Sequence, residues 1–69
     1  MKKSGTIVRF DLTRGFGFIR SPASSADTFF HLRDWRDALA PRTGLDVAFD
    51  EIHVGGKGSR AIAVHAVAS

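Results

Sequence analysis

Aromatic, basic and glycine residues are interleaved in one short segment, Arg14-Gly-Phe-Gly-Phe-Ile19, and aromatic residues recur in Asp27-Thr-Phe-Phe-His31. Aromatic rings and guanidinium planes stack on flat ligands, and guanidinium groups also attract phosphate. A ring stacked on a nucleic-acid base contributes about 1–3 kcal/mol whatever the base is. The residue types in these two segments therefore favour binding of bases and phosphates.

Strand geometry divides the first segment into two faces. Successive side chains of a strand point to opposite sides, so Phe16 and Phe18 share a face with Arg14 and Arg20. Phenylalanine is usually buried, but burying these two rings would carry two arginines into the core, where unpaired charge is costly. We therefore expect Phe16 and Phe18 to face solvent.

The second segment divides in the same way. Phe29 and His31 share one face, whereas Phe30 and Leu32 lie on the other and are expected in the core. If the two segments pair as a hairpin, their outward rings are cross-strand neighbours about 5 Å apart. The predicted aromatic patch consists of Phe16, Phe18, Phe29 and His31. Gly15 and Gly17 are expected to leave these rings accessible and to let the strand bend.

Five β-prone segments separated by turn residues organise the chain. They span residues 5–12, 16–20, 27–32, 45–50 and 60–67. Trp35 and Leu39, four residues apart, predict one or two helical turns over 33–39, with Trp35 capping the core. A small chain with five strands and little helix buries its apolar face most simply as an antiparallel barrel of the OB type. We predict an all-β fold and a single domain over residues 1–69.

Composition excludes several classes of protein. With 69 residues and no cysteine, the chain has room for one small core and lacks thiolate ligands and thiol nucleophiles. His53 and His65 lack the spacing of a metal site, so neither metal nor cofactor is expected. No apolar run approaches the roughly 18 residues of a membrane span, which predicts a soluble, cytoplasmic protein. We also expect a monomer.

Charge is distributed unevenly along the chain. The formal net charge is +3, and basic residues prevail in residues 1–20 and 57–60, whereas acids prevail in residues 27–51. A basic surface suits a polyanion, because every neutralised phosphate releases condensed counterions. Ordinary solubilising surface charge explains a net charge this small equally well.

Arg14-Gly-Phe-Gly-Phe-Ile19 resembles the first ribonucleoprotein motif of the cold-shock domain, and Phe29-Phe30-His31 resembles the second. The similarity also includes residues 5–7, 44–49 and 57–61. It implies a five-stranded OB-type barrel that binds single-stranded RNA or DNA with low sequence preference, often as an RNA chaperone or antiterminator, without catalysis. The positions implied or inferred to bind nucleic acid are Arg9, Phe10, Arg14, Phe16, Phe18, Phe29, His31, Lys57 and Arg60.

The chain also departs from the family pattern. Members usually carry Lys-Trp-Phe in the first strand, where this chain has Val8-Arg9-Phe10. Arg9 can still stack on a base while attracting phosphate. Leu32 stands where an aromatic residue is common, and the segment 38–44 is shorter than usual. We therefore expect a shorter footprint, weaker binding and steeper salt dependence than a typical member has.

Two other classes of function are alternatives to nucleic-acid binding. The aromatic face could serve a protein partner, as an OB-fold interaction module with weak or no nucleic-acid binding. An enzyme is disfavoured, because no nucleophile has an evident base beside it. Arg9 and the basic residues around the aromatic patch favour nucleic acid.

Overall fold

The computed structural model describes residues 3–22, 26–53, 55 and 58–67 of the chain. Five strands succeed one another along it, with a single turn of 3-10 helix, η1, after the third. They are β1 (Lys3–Asp11), β2 (Phe16–Arg20), β3 (Thr28–His31), η1 (Leu32–Asp34), β4 (Asp46–His53) and β5 (Ser59–Ala66). The predicted all-β fold is confirmed.

The strands close into a barrel in the order β1-β2-β3-β5-β4. β1 pairs antiparallel with both β2 and β4, and β2 with β3. A parallel bridge between Phe29 and Arg60 joins β3 to β5, and the antiparallel β4–β5 ladder completes the circuit. In the part of the chain that the structure describes, each strand thus has a neighbouring strand on both sides, which allows so short a chain to enclose a core.

The core is built from the inward residues of all five strands. Its fully buried members are Ile7, Ile19, Phe30, Val47, Phe49, Ala61 and Val64. Trp35 packs against this cluster, with its ring centroid 6.3 Å from that of Phe30. The predictions that Phe30 belongs to the core and that Trp35 covers it are both confirmed.

The segment after β3 departs from its predicted conformation. Helix ends at Asp34, and Trp35 is extended and bridges Val64 of β5, so the helical turns predicted over 33–39 are wrong in extent. The indole Nε1 donates to the Leu39 carbonyl at 2.7 Å, so that these residues meet outside any helix. Leu32 begins η1 and is exposed instead of buried, because strand alternation stops at His31.

Asp37 fastens this segment to the end of β5. Its carboxylate accepts hydrogen bonds from the amides of Leu39 and Ala66, each at 2.9 Å. These bonds stabilise the ionised form and lower the pKa of Asp37 below its ordinary value of 3.8. The stretch beyond η1 is therefore tied to the barrel by side-chain bonds.

Candidate nucleic-acid interface

The outward side chains of β2 and β3 form one contiguous aromatic cluster. The register pairs Phe16 with His31 and Phe18 with Phe29. The ring centroids of Phe16, Phe18 and Phe29 lie 5.9–6.0 Å from one another, and each ring is half-buried. The structure thus brings together the four residues of the predicted aromatic patch. The three phenylalanine rings contact one another, and all four side chains remain partly exposed to solvent.

A β-bulge brings Arg9 to the same face. Ile7 pairs with Ile19 and Arg9 with Phe18, so the register shifts by one residue at Val8. Without this extra residue, Ile7 and Arg9 would point to the same side of the strand. The bulge lets Ile7 enter the core while Arg9 is exposed beside Phe18. Arg9 therefore lies where the resemblance expects an aromatic ring.

Phe10 faces the opposite way. It pairs with Gly17, and its ring stacks on Phe30 with centroids 6.1 Å apart and planes 8° apart. Phe10 is half-buried and packs against the core. Its predicted role in binding remains a prediction, and its geometry favours support of the strand beneath the patch over direct stacking.

The position of the His31 ring is fixed by the backbone that follows it. Its Nδ1 accepts a hydrogen bond from the Arg33 amide at 3.1 Å and caps η1. A neutral imidazole that accepts at Nδ1 carries its proton at Nε2. The ring can therefore offer a face for stacking and an Nε2–H donor for an oxygen acceptor.

Two of the predicted basic residues have acidic neighbours. Arg14 lies in the β1–β2 turn, with Nε 4.0 Å from Asp11, and its side chain is 73% exposed. Arg60 pairs with Asp34, and its side chain is only 33% exposed. Arg60 bridges Phe29 in the sheet and extends the row Arg9, Phe18, Phe29 across four strands. Lys57, the remaining predicted contact, lies outside the described residues.

The Arg60–Asp34 ion pair was not anticipated from the sequence. The two residues are 26 positions apart, and only the packing of η1 on β5 brings them together. The pair neutralises Arg60 in the absence of a ligand, and the Arg60 Nε–H is buried without a hydrogen-bond partner. Arg60 thus adds a guanidinium plane to the interface but little net charge.

The described residues show neither a metal centre nor a membrane-crossing helix. Nowhere among them do three or more His, Cys, Asp or Glu side chains gather as around a metal ion. They also include no helix with the length and hydropathy that crossing a bilayer requires.

Comparison with known proteins identifies the family. No curated protein sequence matches the chain significantly, but 44 chains of solved structures do. One of them, described as drosophila Unr CSD456, superimposes with a TM-score of 0.84 at 26% identity, over 99% of this chain and 27% of that one. This chain therefore spans about a quarter of that larger protein.

The sequence pattern of the 'Cold-shock' DNA-binding domain matches residues 3–67, which is nearly the whole chain. This match includes both ribonucleoprotein-like motifs and all five strands. The family is a nucleic-acid-binding fold without catalytic activity. The chain belongs to the cold-shock domain family.

Proposed function

We propose that the chain binds single-stranded RNA or DNA with low sequence preference. The observation that carries this proposal is the half-buried aromatic cluster of Phe16, Phe18 and Phe29, whose rings are held 5.9–6.0 Å apart on an outward face. Bases stack on such rings without regard to identity, because every base has a π-face. Family membership supports the same substrate class.

The binding site that we propose has two parts. Phe16, Phe18, Phe29 and His31 stack the bases, and Arg9 stacks at the β1 side while attracting phosphate. Arg14 and Arg60 contact the strand at the edges of the patch, with Lys57 as a further candidate. Since few rings and several guanidinium groups take part, affinity falls steeply with added salt.

Weak, sequence-tolerant binding of single strands suits an RNA chaperone or a regulator of transcription termination. Such proteins must release their target readily. About four stacking platforms contribute roughly 1–3 kcal/mol each, and the cost of ordering the strand offsets part of this, so the affinity stays low enough for release. We further propose that the protein acts as a cytoplasmic monomer.

The first test removes two rings and spares the fold. Phe16→Ala/Phe18→Ala is expected to lower affinity for oligothymidylate at least about 30-fold, at about 1–3 kcal/mol for each ring. Fluorescence anisotropy with a labelled oligonucleotide measures the change. Val67→Ala is the control, because Val67 is an exposed apolar residue that follows β5, and its amide donates to Asp46 at the start of β4, away from the aromatic patch.

The control variant should bind like the unaltered chain. If the double variant also retains its affinity, bases do not stack on this patch. If the unaltered chain binds no oligonucleotide, the proposed function is wrong.

A further inference from the structure

The acidic residues of the chain identify which cations remain available to a polyanion. All seven carboxylates lie in the described residues, and four of them pair with a basic residue within 4.0 Å. These pairs occupy Lys3, Arg14, Arg20 and Arg60. Among the described basic residues, those outside every ion pair are Arg9, Arg33, Arg36 and Arg42.

Two of these arginines lie next to the aromatic patch. Arg33 is in η1, and its amide donates to Nδ1 of His31, a member of the patch. Arg36 follows three residues later, and its Nη1 donates to the Arg33 carbonyl at 2.6 Å. Both residues are exposed. The guanidinium group of Arg36 is thereby folded back onto the turn that carries Arg33.

The turn that holds these arginines is anchored at several points. The Trp35 amide donates to the Leu32 carbonyl at 3.0 Å, and the Arg36 amide donates to the Val64 carbonyl of β5 at 2.7 Å. The Trp35 ring packs on the core beneath. Charges on an anchored turn lose less conformational freedom when a ligand binds than charges on a free loop.

We propose that Arg33 and Arg36 form a phosphate-binding surface that carries the bound single strand beyond His31. This inference rests on the proposed function and adds to it a second part of the nucleic-acid path, on the far side of the patch from Arg9. Guanidinium groups suit this task, because their planar donors match phosphate oxygens and remain charged. The occupant is the sugar-phosphate backbone of the same strand, and bases there need not stack.

The test separates this surface from the aromatic patch by oligonucleotide length. One oligothymidylate of about three nucleotides fits the stacking platforms alone, and one of about eight also reaches past His31. For the long oligonucleotide, Arg33→Gln/Arg36→Gln is expected to reduce the slope of log affinity against log salt by about 1.4, at about 0.7 for each phosphate contact. The short oligonucleotide should bind this variant as it binds the unaltered chain, which also reports that the site is folded.

Arg33→Gln and Arg42→Gln are the matched single variants, because each removes one exposed arginine that lies outside every ion pair, and only Arg42 lies outside this turn. The slope for the long oligonucleotide should change less in Arg42→Gln than in Arg33→Gln. Equal slopes for the two variants would overturn the inference and leave the stacking site intact. Failure of the proposed function is distinct, because the unaltered chain would then bind neither oligonucleotide.

Discussion

Arg9 shows how one substitution changes the character of a site without changing its position. The bulge at Val8 places this side chain beside Phe18, where it can stack through its guanidinium plane and attract phosphate. An indole ring there would provide more stacking area and no charge. In the proposed binding mode, the first strand therefore contributes electrostatic attraction in place of part of the stacking.

Arg9→Trp is expected to raise affinity for oligothymidylate and to flatten its salt dependence. The added ring contributes about 1–3 kcal/mol of stacking, and losing one cation lowers the salt slope by about 0.7. Titrations at two salt concentrations measure both quantities. Arg42→Trp, at an exposed position outside the patch, is the control. An affinity that is unchanged or lower in Arg9→Trp would show that no base stacks at this position of β1.

Ala63 occupies a backbone conformation that does not suit its side chain. Its φ is +51°, in the left-handed region, which costs an L-residue about 1–2 kcal/mol. The β4–β5 register shifts here, and the extra residue lets both Ala61 and Val64 face the core. The register shift keeps both residues in the core, but the Cβ of alanine is strained in this left-handed conformation.

Ala63→Gly is expected to raise the free energy of unfolding by about 0.5–1 kcal/mol, because glycine adopts this φ without strain. Urea denaturation measures the change. Ala48→Gly in β4, where φ is not positive, should instead lower stability by about 0.5–1 kcal/mol. Ala63→Gly with stability at or below that of the unaltered chain would show that the bulge is not strained.

At the scale of elements, β2 depends on the missing side chain of Gly17. A Cβ built there would lie 2.6 Å from the Arg9 carbonyl oxygen and 2.7 Å from Cε1 of Phe30. The glycine was expected to keep the neighbouring rings accessible, but its open side faces inward, where the Phe30 ring fills the space. Gly17 therefore lets β1 and Phe30 pack closely beneath the aromatic patch.

Gly17→Ala is expected to destabilise the fold by about 1–3 kcal/mol, because the backbone of β1 cannot yield to the added methyl group. Thermal unfolding measures the loss. Gly55→Ala is the matched control: among the described residues other than its chain neighbours, none has an atom within 4 Å of the Cβ position, and stability should hardly change. If both variants melt at the same temperature, the close packing beneath the patch is not as described.

The sequence was sufficient to predict four features of the molecule: the all-β barrel, strand β2 with its correct bounds, the burial of Phe30 and the contiguity of Phe16, Phe18, Phe29 and His31. Each of these follows from local β propensity and from strict alternation. Alternation fails where the backbone becomes irregular. Three such irregularities depend on closure of the whole barrel, so no local sequence pattern predicts them. They are the bulge at Val8, the end of β3 at His31 and the positive φ of Ala63.

Contacts between residues that are distant in the sequence could not be predicted from the sequence either. The Arg60–Asp34 pair and the Asp37 bond to the Ala66 amide arise only when η1 and the residues after it lie on β5. The helical spacing of Trp35 and Leu39 was misleading, because tertiary bridging to Val64 overrides a weak local preference. The charge available to a ligand could therefore be assigned only from the folded chain.

At the scale of the whole molecule, the proposal that one aromatic face binds single-stranded nucleic acid is tested most directly by following a titration with oligothymidylate by NMR. Backbone amide signals of Arg9, Phe16, Phe18, Phe29 and His31 should shift on binding, and those of Asp46, Val47 and Ala48 at the start of β4 should remain in place. The account is contradicted if the shifts concentrate on Asp46, Val47 and Ala48, or if the oligonucleotide binds and the five residues named first do not respond.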